Sequence, residues 1–198
     1  MPYDVDRDPY TDGQTGVMRN LLGKTAAESL EAAEANIASS EIAIILQQAH
    51  PLPSDLTYTF FLGLHRQIFG AVYEWAGKLR TVEVSKGTTS FARVDYLGAN
   101  LQTLLRQLAD DDYCAADSLD EFVAQLAHYY SELNVLHPFR EGNGRTIRTF
   151  LSLLADCHGC YIAWDQMDPT ENIQACIASY NGDEAPLCVV LRRLVTPW

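Results

Sequence analysis

Basic residues are scarce in this chain: 14 lysines and arginines stand against 26 aspartates and glutamates, a formal net charge of −12. A surface of that sign repels a phosphate backbone, because nucleic-acid binding depends on net cationic contacts, so direct DNA or RNA binding is not expected. Long apolar runs are missing too. Clusters such as residues 42–46 fall far short of the ~20 residues a membrane-spanning helix needs. The N-terminus, Met1-Pro2-Tyr3-Asp4-Val5-Asp6-Arg7-Asp8, is charged from the start and lacks the apolar stretch of a secretory signal. These absences predict a cytoplasmic protein with no membrane segment. Cysteine is sparse and odd in number. Cys114, Cys157, Cys160, Cys176 and Cys188 offer no disulfide framework, and the CxxC spacing of Cys157 and Cys160 has no second pair to complete a four-ligand zinc site. Repeats, low-complexity tracts and Gly/Ser linkers are also lacking, so residues 1–198 read as a single domain.

What is present is globular: 47% of residues are hydrophobic and 20% charged, enough to build one core. Residues 1–23 read as an extended arm with turns at Asp8-Pro9 and Asp12-Gly13. A first helix, capped by Thr25, carries Leu30, Ala33, Ile37, Ile44 and Ile45 up to His50-Pro51. The second begins at Ser54 or Asp55, places Leu56, Phe60, Leu64, Ile68, Ala71, Val72 and Trp75 at three- and four-residue steps, and closes at Gly77. Thr81, Val82 and Val84 favour strand, and Lys86-Gly87-Thr88-Thr89 favours a turn, so residues 79–92 are predicted to form a short hairpin, the one β segment expected. Helical periodicity resumes from Tyr96 to Leu108 and from Leu119 to Leu133. A further helix is predicted from near Gly144, and shorter ones from Pro169 to Tyr180 and from Ala185 to Val195. The fold class is mainly α, with a small β hairpin.

The chemistry is concentrated in residues 137–148: His137-Pro138-Phe139-Arg140-Glu141-Gly142-Asn143-Gly144-Arg145-Thr146-Ile147-Arg148. Pro138 tends to end the preceding helix at His137 and presents the imidazole at a helix end. Gly142, Asn143 and Gly144 can form a tight, amide-rich loop; where it enters a helix N-terminus, several backbone N–H groups converge and favour an anion. Arg145 and Arg148 stand three residues apart and suit the outer phosphates of a nucleoside triphosphate. Arg140 joins Gly142, Asn143, Gly144, Arg145 and Arg148 in the predicted nucleotide-binding set. Glu141 is a hard oxygen ligand suited to Mg²⁺. With an ordinary pKa of ~6.5, His137 is neutral enough at cellular pH to act as general base. Phe139 reads as a core pin for the loop, and His128, which lacks such company, as a structural residue.

The stretch resembles the signature of the Fic family, H-x-F-x-[D/E]-G-N-G-R-x-x-R, at every specified position. Asp8-Pro9-Tyr10, Asn20-Leu21-Leu22-Gly23 and the stretch from Tyr73 to Arg80 extend the resemblance to the subgroup of stand-alone toxins and host-delivered effectors. It implies a Fic-type helical bundle, with His137 as catalytic base, that transfers AMP from ATP, with Mg²⁺, to a hydroxyl of a target protein. It also implies that the hairpin is a flap which docks the target by strand pairing, at Lys86, Gly87, Thr88, Thr89, Ser90 and Phe91. Gly144 before the first motif arginine fits AMP transfer better than the N-K-R arrangement of phosphorylating relatives; phosphotransfer, UMP or phosphocholine transfer and a silent binding module are the alternatives. Fic enzymes are commonly restrained by a helix bearing [S/T]-x-x-x-E-[G/N]. No Ser or Thr here is followed four residues later by Glu, so the resemblance implies a separate small antitoxin whose glutamate reaches Arg148. The subgroup further suggests a type IIA topoisomerase subunit, gyrase B-like, as target.

Overall fold

The computed structural model describes residues 8–48, 50–87 and 89–197. Seven helices occupy most of them: α1 (Ala27–Gln48), α2 (Tyr58–Phe69), α3 (Leu97–Asp110), α4 (Leu119–Leu136), α5 (Asn143–Cys157), α6 (Pro169–Tyr180) and α7 (Ala185–Leu194). Helix α4 is central, packing against α3, α5, α6 and α7, while α1 and α2 cover the other side of α5. Leu126, Ala127 and Leu133 of α4 and Ile147, Phe150, Leu151 and Leu154 of α5 are fully buried in one continuous apolar core. The predicted fold class holds. Among the described residues no helix is long and apolar enough to cross a membrane.

The boundaries follow local chemistry. Ser118 starts α4 by accepting from the Glu121 N–H, and Asp168 starts α6 by accepting from the Glu171 N–H with Pro169 in the first turn. Four expectations need correction. The second helix is capped by Thr57, not by Ser54 or Asp55, which lie in a 3₁₀ turn, and it ends at Phe69, well before Gly77. Val72 and Trp75 therefore sit in a turn-rich connection. Its bonds, such as Val72 N–H to Phe69 O and Lys78 N–H to Trp75 O, take over from helix pairing while the apolar spacing persists.

The hairpin is also shorter than predicted. β1 (Ser85–Lys86) pairs antiparallel with β2 (Thr89–Ser90), so Thr81, Val82 and Val84 lie outside the strands, and Thr88 lies outside the described residues. It is not the one β element either: β3 (Cys160–Ile162) pairs with β4 (Val195–Pro197), joining the chain end to the segment after α5. Each of these strands has only three residues, too few for a period-two pattern to show in the sequence. In the arm, Thr11 bridges Met18, Asp12 accepts from the Gln14 and Thr15 N–H groups, and Leu21 N–H bonds Val72 O, which fastens the arm to the body.

Candidate active site at the α4–α5 loop

Helix α4 stops at His137 because that residue turns into the left-handed region (φ 47°, ψ 58°), its N–H still bonded to Leu133 O. The sequence correctly places a helix end before Pro138. The conformation is left-handed and not the extended one a residue preceding proline normally takes, a backbone cost that surrounding contacts must offset. Those contacts come largely from Arg80, whose side chain is fully buried. Its Nε donates to His137 O at 2.9 Å, Nη1 to Val82 O at 2.8 Å, and Nη2 to Ala92 O and Leu136 O. One guanidinium thus ties both roots of the flap to the end of α4. The sequence reading did not single out Arg80, although it lies in the stretch that carries the resemblance.

His137 itself is 6% exposed. Its Nδ1 lies 3.1 Å from Asn134 O, a geometry that places the proton on Nδ1 and makes Nε2 the basic nitrogen. Burial, and then the nearby positive charges of Arg80 and Lys86, depress its pKa to about 3, outweighing the contact with Asn134 O, so the imidazole is neutral at physiological pH. The ring of Phe91, at the end of the flap, stacks on the imidazole at 3.8 Å between centroids and 16° between planes. Stacking covers a face of the ring, whereas the basic lone pair lies in its plane. Phe91 therefore fixes the orientation of the imidazole while its ring leaves the in-plane lone pair uncovered. The other described flap residues, Lys86, Gly87, Thr89 and Ser90, form the hairpin, with Gly87 at φ +61° in the turn, and Tyr180 of α6 donates its hydroxyl to Ser90 O.

The loop that follows is closed by its own side chains. The Asn143 amide accepts from the Phe139 N–H and donates to Phe139 O, both at 2.8 Å, so its side chain serves as the loop's lock. Phe139 is fully buried against Phe61 and His65, the core pin expected from the sequence. Gly142 is left-handed (φ 78°) and a Cβ there would overlap the Phe69 ring, so two independent constraints demand glycine. It caps α5, and its carbonyl accepts from the Thr146 N–H and Oγ1. The N–H groups of Asn143, Gly144 and Arg145 open the helix and have no intrahelical acceptor, which makes this end an anion seat. The Glu141 carboxylate already accepts from the Gly142 N–H at 2.9 Å and is only part-buried.

His65 was missed by sequence reasoning. It is buried on α2, its Nε2 lies 3.0 Å from Glu141 O, and its Nδ1 accepts from the Gly77 N–H at 2.9 Å. Burial holds its pKa down to about 4, so it stays neutral, as the paired donor and acceptor roles require. A lone histidine in an apolar helical stripe gives no sign of such a role.

The two motif arginines do not share one partner. Arg145 pairs with Glu34 of α1, which is 7% exposed and also accepts from the Tyr73 hydroxyl, while the guanidinium carbon lies 4.7 Å from the Phe69 ring centre. Arg148 interacts with the Tyr130 hydroxyl on α4. Three residues of helix leave about 60° between side chains, enough for one to lean to each side of α5. Arg140 is likewise engaged: Nε and Nη2 both donate to Asp8 of the arm, at 3.1 and 2.7 Å. A carboxylate at position 34, interrupting a stripe otherwise made by Leu30, Ala38 and Ile45, was the available hint of a buried partner.

Comparison with known proteins bears on the same residues. The Fic/DOC family model matches residues 55–155. The chain is 37% identical over 197 residues to the protein adenylyltransferase VbhT of Bartonella schoenbuchensis, covering 98% of this chain and 40% of that protein. It is 32% identical over 194 residues to the probable protein adenylyltransferase y4lH of Sinorhizobium fredii, covering 98% of both. The chain thus spans less than half the length of the first relative and nearly all of the second. In fold it resembles the crystal structure of the BepC effector protein of Bartonella tribocorum with bound AMPPNP, with a TM-score of 0.86 at 21% identity over 96% of this chain and 97% of that one.

Proposed function

The chain belongs to the Fic/DOC family, and from that footing we propose that it is a protein adenylyltransferase, moving AMP from ATP to a side-chain hydroxyl of a target protein. The observation that carries this reading is the juxtaposition of a neutral, oriented imidazole at His137 with the amide-lined start of α5, joined by a loop locked at Asn143.

The step balances simply. The target hydroxyl oxygen bonds to the α-phosphorus, the bond from that phosphorus to the oxygen leading to the β-phosphate breaks, and pyrophosphate leaves. His137 Nε2 takes the hydroxyl proton. The first-turn N–H groups of α5 receive phosphate oxygens, and Arg145 and Arg148 supply charge from either side. Arg140, bonded to Asp8, acts on the nucleotide through the loop's shape and positive field. A single part-exposed carboxylate, Glu141, fits Mg²⁺, which takes few protein ligands and completes its shell with phosphate oxygens and water. When bound, the ion would neutralise charge on the departing pyrophosphate. The flap, Lys86 to Phe91 including Thr88, presents the target beside His137 through strand pairing.

Further parts of the proposal rest on the resemblance of the arm, the Tyr73–Arg80 stretch and the motif. Residues 1–198 form one Fic domain, acting in the cytoplasm, where ATP and Mg²⁺ are abundant. The chain is the toxin of a toxin–antitoxin pair, restrained by a small protein whose glutamate reaches Arg148. Its target is a type IIA topoisomerase subunit; the net charge of −12 favours a basic partner surface.

The test is transfer of label to proteins of a bacterial lysate from α-labelled and γ-labelled ATP in parallel, with Mg²⁺, by the protein and its His137→Ala variant. Adenylyl transfer gives a discrete band from the α-label alone, lost in the variant. Label from the γ-position would make the chain a phosphotransferase, and label retained in the variant would remove His137 as the base.

A further inference from the structure

His128, read from sequence as structural, stands in a cluster with Glu132 and Glu184 in which one ligand atom of each residue lies within 4.8 Å of the others. We propose that these three side chains form a second metal site, selective for a zinc-type divalent cation and separate from the Mg²⁺ chemistry of the motif. Three features support it. His128 and Glu132 are four residues apart on α4 and so share one face of a rigid helix. Glu184 comes from the start of α7, which buried Leu187, Val190 and Leu191 fix in the fold; α7 packs against α4. Glu184 occupies the N-cap position of α7 but makes no side-chain capping bond, and its carboxylate is turned to His128 instead.

Two of the three ligands are already spaced for the ion. His128 Nδ1 lies 3.3 Å from Glu184 Oε1, and two ligands on a tetrahedral zinc at ~2.0–2.1 Å are separated by roughly 3.3–3.4 Å. Glu132 closes the remaining gap by a change of rotamer, which its partial exposure permits. An imidazole with two carboxylates favours zinc and neighbouring transition ions over Mg²⁺ and Ca²⁺, which prefer oxygen alone. The cation would offset two negative charges brought together on an acidic surface and clip α4 to the start of α7. His128 precedes His137 by nine residues, about 14 Å along α4, so the site stands apart from the catalytic loop.

The experiment is calorimetric titration of the EDTA-stripped full chain with ZnCl₂ in millimolar Mg²⁺, followed by Co²⁺ substitution read in the visible and near-ultraviolet. One equivalent should bind, about tenfold or more weakly in His128→Ala and Glu184→Gln, each checked for native circular dichroism. Cobalt should give ligand-field bands without a thiolate charge-transfer band. No zinc binding would reduce the cluster to an ordinary His–Glu ion pair. Binding undiminished in both variants, or a thiolate band pointing to the free cysteines, would overturn the assignment.

Discussion

Replacing Arg80 is the most informative perturbation of the site's framework, because its guanidinium touches no part of the reaction yet holds four carbonyls that define it. In Arg80→Met the stem's packing is kept and the charge-assisted bonds are lost. Each hydrogen bond to a charged group contributes about 1.5–3 kcal/mol. His137 O and Leu136 O are left without this donor inside the fold, whereas Val82 and Ala92 at the flap root can regain water more easily. Counting only two of the four bonds gives about 3–6 kcal/mol, a large share of the ~5–15 kcal/mol that stabilises a domain. Arg80→Lys keeps the charge but presents a single ammonium that cannot span His137 O and Ala92 O together, so about half the loss should remain. Urea unfolding at constant m measures the stability term. Adenylyl transfer per folded molecule, assayed well below the melting temperature, measures the other: it should fall about tenfold or more as the left-handed turn at His137 relaxes. Unchanged urea midpoints, or full activity in folded Arg80→Met, would refute the claim that this residue positions the base.

Glu34→Gln removes the charge but not the shape of Arg145's partner; Tyr73 keeps a hydrogen bond, so stability should drop by about 1–2 kcal/mol. If Glu34 aims Arg145 at phosphate, KM for ATP rises several-fold with kcat little changed; a fall in KM would mean that Glu34 competes with phosphate instead. Gly142→Ala must place a Cβ into the Phe69 ring at φ 78°, and should lower the melting temperature and abolish transfer together. A fully active, equally stable alanine variant would show that the loop can be built another way. His65 and His137, with pKa values depressed to about 4 and 3, remain neutral in the fold while their unfolded counterparts gain protons below about 6.5. The unfolded state therefore binds more protons between those values. Stability is intact above pH 6.5 and falls on acidification, with each histidine contributing up to about 1.4 kcal/mol per pH unit. Urea midpoints from pH 7.5 to 4.5 check this, and His65→Gln should flatten the slope; a flat wild-type profile contradicts the assignment of both as buried and neutral.

The helices were legible because their apolar residues recur at three- and four-residue steps; α6 begins and ends where the sequence places it, and α7 ends one residue earlier. The site loop was legible because glycine at 142 and proline at 138 constrain backbone on their own. The end of α2 was not, since Val72 and Trp75 keep helical spacing while the chain has already turned, and β3–β4 depends on pairing across more than thirty residues. The least legible residues are those that position others: His65, Arg80, Glu34 and Asp8. Each is polar, each meets a partner distant in sequence, and no local period marks such a partner.

That distribution has a consequence for regulation. The motif's first arginine is already matched within the chain, by Glu34 on α1, whereas Arg148 leans toward Tyr130 between α4 and α6. An inhibitory carboxylate from outside would have to displace an internal acid to take Arg145, but only a neutral hydroxyl to take Arg148. The Arg145 pair joins two full charges, whereas the Arg148 contact joins one charge to a neutral hydroxyl and gains less Coulomb energy, so Arg148 is the cheaper arginine to capture. The two also differ in what capture disturbs: loss of the Arg145 pair strands Glu34, buried beside Tyr73, whereas loss of the Tyr130 contact leaves that hydroxyl still bonded to Asn172. Capture of Arg148 by an outside carboxylate would therefore disturb the fold less than capture of Arg145.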